Sequence, residues 1–343
     1  MGRLSSAREF RGDNNLQSWL INYNYDLFGN RYQYQSQNGG NPFPQVWVES
    51  GQINQANNRF NSGVTYDDAG NVTVDSKFRN LQFQYDANNR QKQSANIDGT
   101  GTVVSVYDAG GQRVATQVNN SLTNVLVYDA TGKLLAEYGS PAPSGTQYLF
   151  NDHQGSPRAI TSSNGSIVSR HDYLPFGEEL GAVGMRASGQ GYGLGDNGRQ
   201  KYAGMENDDA TGMQHTLWRQ YDSLSGRWTA PDPYGGSMSV ASPQSFNRYS
   251  YVENNPVNSV DPLGLALSDI GVVQTDDPAT ARELEHASDR AWKTAMNADY
   301  VRQHQAPQHK QAPHHGGPSS RSNHEYNHSE GGGPGEHSGS EME

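Results

Sequence analysis

Apolar and polar side chains alternate in short runs along most of this chain, and each run stops at a glycine, asparagine or aspartate. GQRVATQV (residues 111–118) and GKLLAEY (132–138) carry the two-residue period of half-buried strands. The pattern lasts until NRYSYVENNPVNSVDPLGL (247–265), then gives way to polar text such as QHQAPQHKQAPHHGGPSS (303–320). A sheet-forming region therefore precedes a tail of different character.

The runs are punctuated by a repeat. Tyr25-Asp26 leads to Gly29-Asn30-Arg31, Tyr66-Asp67 to Gly70-Asn71, and Tyr85-Asp86 to Asn89-Arg90. Tyr107-Asp108 leads to Gly111-Gln112-Arg113, and Tyr128-Asp129 to Gly132-Lys133. Tyr173 to Gly177 is a looser copy, and Tyr221-Asp222 reaches Gly226 with one extra residue. Successive units from Tyr66 to Tyr128 lie 19, 22 and 21 residues apart, room for two short strands and two turns. The tyrosine closes a strand, the aspartate accepts backbone hydrogen bonds in the turn, and glycine or asparagine supplies the positive φ.

Composition adjusts this picture. Only 33% of residues are hydrophobic, yet 19 tyrosines and 39 glycines suit amphipathic strands joined by tight turns. The net charge of −11 argues against nucleic acid, whose phosphates need clustered Lys and Arg. Without cysteine there is no disulfide framework and no Cys-based zinc site. The first residues, MGRLSSAREF, have no signal-peptide core, and no segment is apolar enough to span a membrane.

The repeat resembles that of bacterial RHS proteins and the related YD shells of teneurins and insecticidal toxin complexes. Residues 148–180 (YLFNDHQGSPRAITSSNGSIVSRHDYLPFGEEL) and 217–236 (LWRQYDSLSGRWTAPDPYGG) look like the RHS repeat-associated core domain. The expected fold is all-β: sequential antiparallel hairpins of a spiral shell segment, a C-terminal core plug, then a short helix and a disordered tail. Expected divisions are a lead-in (1–22), the YD-repeat sheet (23–180), a Gly-rich loop (181–200), the core (201–265) and a variable tail (266–343). Family shells have more repeats than the seven or so here, so an upstream YD-repeat region or a shell-completing protein is the expected partner. The resemblance places the chain outside the cell or on its surface.

Two Asp-Pro-x-Gly turns, at Asp232 and Asp261, are the candidate chemical centre. Read alone, each is a plain turn. The resemblance implies self-cleavage just after the core motif by aspartates and an arginine, hence at Leu265–Ala266 with Asp232 and Asp261 as the carboxyls. Two carboxyls held close share a proton, so one can polarise a carbonyl while the other activates water. Arg248 and Arg227 are the candidate arginines, and the sequence does not choose between them. Leu263 and Leu265 are expected in apolar subsites. The rival reading is that these residues lock the plug and cut nothing.

Other chemistry is thin. His153 reads as a turn histidine, while His171 and His215 have no nucleophile at a recognisable spacing. Walker, G-x-S-x-G and H-E-x-x-H motifs are absent, so no cofactor or metal site is expected. The tail holds eight of the 11 histidines, a composition that binds zinc or nickel loosely at best. Asp277-Pro278 caps an expected helix over 279–302, and the remainder cannot bury enough surface to order itself. The leading function is a scaffold that encapsulates and releases its own tail, with enzymology confined to itself. The alternatives are a carbohydrate- or protein-binding surface module without catalysis, or an inactive fragment of a larger RHS protein.

Overall fold

A computed structural model describes residues 2–10, 17–37, 48–129, 134–139, 145–183, 185–196, 198–265 and 267–269. They belong to one compact unit, Met1–Asp276. The helix expected over 279–302 and the polar tract beyond it lie outside the described residues.

The described chain is all-β, and its longest helical stretch is the four-residue 3-10 turn Pro243–Phe246. Strands Ser6–Phe10, Gln17–Tyr25 and Arg31–Gln37 form a first antiparallel sheet. Eight strands from Val64–Tyr66 to Leu134–Tyr138 form a second, in which every sequence neighbour is a spatial neighbour. Gln147–Asn151, Pro157–Ser162 and Ile167–Arg170 make a third sheet, and Asp172–Tyr173 with Glu179–Leu180 a two-stranded ribbon. Glu206–Asp208, Met213–His215, Gln220–Asp222 and Arg227–Trp228 form a four-stranded sheet within the range expected for the core. Strand pairing thus begins at Ser6, and the hairpins of 23–180 are shared among separate sheets.

The Tyr-Asp unit builds one loop again and again. In the copy at Asp67 the backbone N–H donates to Asn71 O at 3.0 Å, while Asp67 O accepts from Gly70 N at 3.0 Å. The Asp67 carboxylate then takes the Asn71 N–H at 2.8 Å. Asp26, Asp86 and Asp108 accept the equivalent amides of Asn30, Arg90 and Gln112 at 2.8–2.9 Å. Gly70 (φ 93°), Asn89 (φ 60°) and Gly111 (φ 89°) take the left-handed position, which other residues reach only with strain. Residues 130–133 after Asp129 are not among those described.

The loops after Tyr66, Tyr85 and Tyr107 hold one residue more than a simple hairpin, whereas Tyr25 pairs with Arg31 and Asn24 with Tyr32 in unbroken register. Tyr66 pairs with Val72 and Thr65 with Val74, Tyr85 with Gln91 and Gln84 with Gln93, so a bulge sits beside the turn. Two of the tyrosines tie consecutive hairpins together. Tyr107 and Tyr128 donate their hydroxyls to Gln91 O (2.8 Å) and Arg113 O (3.0 Å), each on the return strand of the preceding unit.

Two apolar clusters fill the unit. Val48, Ile53, Phe60, Val64, Leu81 and Phe83 pack with Met213. Trp19, Ile21 and Tyr23 of the first sheet meet Phe176, Tyr202, Tyr221, Trp228 and Tyr251. Tyr221 and Tyr251 lie 4.4 Å apart between ring centroids. The Tyr202 and Tyr221 hydroxyls donate to Pro175 O and Phe176 O at 2.7 Å, so these rings are buried without stranding their polar ends.

Candidate functional site

Asp232 follows strand Arg227–Trp228, and Asp261 follows the two-residue strand Ser259–Val260. In both turns the aspartate side chain does what a turn aspartate should. Asp232 Oδ1 accepts Tyr234 N at 2.8 Å, and Asp261 Oδ1 accepts Leu265 N at 3.0 Å. Gly264, at φ 73°, closes the second turn, where an added Cβ would sit 2.2 Å from Thr216 Oγ1. Only glycine fits there.

Between the turns lies Arg219. Its Nη2 is 3.0 Å from Asp261 Oδ2 and 3.5 Å from Asp232 Oδ2. Its Nε donates to Gly264 O at 2.6 Å and its Nη1 to Arg248 O at 3.3 Å. The guanidinium lies over the Trp228 ring, 4.1 Å from the centroid, which fixes its plane. The Arg219 and Asp261 side chains are each 4% exposed, and that of Asp232 11%. Burial raises the Asp261 carboxyl above the usual range although Arg219 pulls it down, and burial lowers Arg219 against the pull of both acids. Both directions have one cause, the cost of holding charge away from water. A cavity of about 140 Å³ opens beside the group, lined by Arg219, Asp232, Asp261, Arg248, Glu253 and Leu267.

The expected carboxyls therefore meet, through an arginine the sequence reading passed over. Arg248 contributes at one remove, its guanidinium donating to Asp232 O (2.9 Å) and Tyr234 O (3.0 Å), backbone carbonyls of the first turn. Arg227 is elsewhere: it donates to Asn30 Oδ1 (3.2 Å) and Asn58 O (2.6 Å) between the Phe60 and Tyr249 rings. Its guanidinium braces the first Tyr-Asp loop instead of an acid. The apolar subsite expected for Leu263 needs correction, since this side chain is 42% exposed. The segment is held by its backbone, with Leu263 O accepting Trp218 N at 3.2 Å. Leu265 is partly buried, and Ala266 is outside the described residues. Arg219 stands one residue before strand Gln220–Asp222, in phase with the fully buried Tyr221. That phase was the available signal, because an arginine directed into a core needs acids around it.

The histidines divide. His153 is exposed, with its ring 3.4 Å from Val257 O. His215 is buried beside Gln220 and held well below its ordinary pKa by desolvation, then by Arg113, so it stays neutral. His171 has acquired carboxylate partners, Glu179 and Asp196, that no sequence spacing announced. No group of three or more acids and histidines suited to a metal occurs among the described residues.

The family model of the teneurin YD-shell matches residues 11–257. The chain belongs to that family. Among the relatives of this YD-shell chain is the tRNA3(Ser)-specific nuclease WapA of Bacillus spizizenii, 29% identical over 265 residues, 71% of this chain and 11% of the relative. Toxin subunit YenC1 of Yersinia entomophaga is 29% identical over 54% of this chain and 19% of its own length. Teneurin-1 of Gallus gallus is 28% identical over 55% and 8% respectively. The YD-shell chain thus spans about a tenth of the length of the WapA proteins it matches. Its fold is similar to part of a Photorhabdus luminescens Tc holotoxin pore, with a TM-score of 0.51 at 19% identity over 78% of this chain and 14% of that one. No helix among the described residues is long and apolar enough to cross a membrane.

Proposed function

We propose that this YD-shell segment holds the residues that follow Leu265 and frees them by hydrolysing its own Leu265–Ala266 bond. One observation carries the reading: Asp261 shares the Arg219 guanidinium with Asp232 through one oxygen and accepts the amide of Leu265 with the other, on the residue whose carbonyl would be cut. Asp261, favoured in its protonated form by burial, gives a proton to the Leu265 carbonyl oxygen. Asp232, at the cavity wall, takes a proton from water, whose oxygen bonds to the Leu265 carbonyl carbon. The C–N bond then breaks, a proton passes to the Ala266 nitrogen, and a carboxyl and an amine remain. Arg219 keeps both acids in place, and Arg248 fixes the backbone beneath Asp232.

The remainder of a YD-repeat shell, upstream or in a partner protein, would complete the enclosure, outside the cell or on its surface. Relatives that include a toxin subunit and a nuclease support a containment role. To test the reading, the chain is expressed with a C-terminal tag and searched by mass spectrometry for a fragment beginning at Ala266. Wild type should yield it, more slowly as pH rises and Asp261 loses its proton, and Asp261→Asn, Asp232→Asn and Arg219→Met should not. A wild type that stays whole from mildly acidic to neutral pH refutes cleavage. Cutting by both Asn variants refutes the assigned roles.

A further inference from the structure

His171 sits at the head of the two-stranded ribbon with both ring nitrogens on carboxylates. Its Nδ1 is 2.6 Å from Glu179 Oε1 and its Nε2 is 2.7 Å from Asp196 Oδ2. Ionised carboxylate oxygens only accept, so both nitrogens must carry hydrogen, and the ring in this arrangement is an imidazolium. The two acids sit at opposite ends of the Gly-rich loop. Glu179 belongs to Glu179–Leu180, the strand that leads into it, and Asp196 lies near its far end. One protonated ring therefore closes the loop on itself.

The two ends are not equally held. The Asp196 side chain is 1% exposed, and both its oxygens lie 2.7 Å from Lys201 Nζ, with Gly198 N donating to Oδ1 at 2.7 Å. Glu179, 40% exposed, has water as its alternative. Around the ring stand Ser169 Oγ, 2.9 Å from Nε2, and Tyr173, stacked at 6.3 Å, whose phenol burial keeps neutral. The adjacent Asp172 is taken by Arg158 and Arg186, so it offers His171 no competing charge. Desolvation works against the charged ring, but Asp196 and then Glu179 outweigh it and hold His171 above its ordinary value.

We propose that His171 is a proton-operated latch that fastens the leading end of the loop over residues 181–200 and releases it as the surroundings become alkaline. A neutral imidazole keeps one N–H. The buried, lysine-backed Asp196 retains it, and the lone pair then faces Glu179, which swings into water. The released part is the ribbon end around Leu180 and Gly181, where Asp172 pairs with Leu180. The far end stays anchored by Lys201–Asp196 and by Arg199 on Glu137 and Glu206. This device is independent of any cutting at Leu265.

The test is amide hydrogen exchange at about pH 6 and about pH 9, each corrected for intrinsic rate. Leu180 to Val183 should lose at least about tenfold protection at the higher pH while the amides beside Asp196 change little. Glu179→Gln, at an exposed position, should leave protection near Leu180 independent of pH, as should His171→Gln. Ring NMR of the unmodified chain should place the His171 titration above the free-histidine value of about 6.5. Titration at or below that value, or an equal loss of protection in Glu179→Gln, overturns the latch.

Discussion

Arg219→Met keeps an unbranched side chain that reaches as far as the arginine Nε and removes the charged head. The variant loses contacts to Asp261, Asp232, Gly264 O and Arg248 O together with the stacking on Trp228. The larger consequence is what it leaves: Asp261, 3% exposed, without its cation. Breaking a buried pair from one side costs about 3–5 kcal/mol, a large part of the stability of an ordinary domain. The double variant Arg219→Met/Asp261→Asn removes the stranded charge and should recover about half of that loss, and this recovery added to the cost of Asp261→Asn alone gives a coupling energy of at least about 2 kcal/mol. Urea unfolding at neutral pH measures both. Because burial favours a protonated Asp261, the penalty of the single variant should shrink in mild acid, where that carboxyl is neutral. A single variant costing under about 1 kcal/mol, or additive behaviour of the pair, would refute the claim that Arg219 is held chiefly by these acids.

Burial raises Glu178 to about 7 and Asp75 to about 6, the latter with help from Asp222. Folding then binds protons, so stability is full in acid and falls as pH rises through those values, by on the order of 2 kcal/mol for Glu178 between about pH 5 and about pH 8. Glu178→Gln should flatten that profile in urea titrations, and a parallel profile would exclude Glu178 as its source. Asp108→Ala removes the acceptor of Gln112 N and should cost about 1 kcal/mol, whereas a Tm equal to wild type would mean the loop closes on backbone bonds alone. Gly264→Ala combines a left-handed φ with contact at Thr216 and should cost about 2 kcal/mol or more by chemical denaturation. Tyr128→Phe loses only the bond to Arg113 O, and a loss near 1 kcal/mol is expected from the same assay.

What the sequence made legible is what lies within a few residues. The Tyr-Asp loops could be read because aspartate, turn and glycine are neighbours, and every hydrogen bond of the loop closes within five residues. Lys201 shows where that reading stops. Gly204 N donates to Lys201 O at 3.0 Å and Lys201 N to Met205 O at 2.9 Å, the same loop opened by Gln200-Lys201 in place of the Tyr-Asp pair that would signal it. The Asp232–Asp261 meeting was anticipated from paired turns and a family likeness. Arg219 was not, because its partner Asp261 is 42 residues away and nothing local marks an arginine as buried. His171 illustrates the same limit: its partner Asp196 comes from a loop without periodicity, so only the folded chain brings them together.

The bulge beside the Tyr-Asp turns of the eight-stranded sheet has a consequence for how such a chain finds its alignment. In a long meander a slip of one residue would invert the faces of every strand that follows. Here each loop fixes its own offset by contacts inside five residues, as Asp67 does with Asn71, before the next strand has paired. A misaligned hairpin is therefore a local error, corrected at the following turn instead of inherited. The phase is counted afresh about every twenty residues, so units can be gained or lost over evolutionary time without renumbering the interior of those that remain.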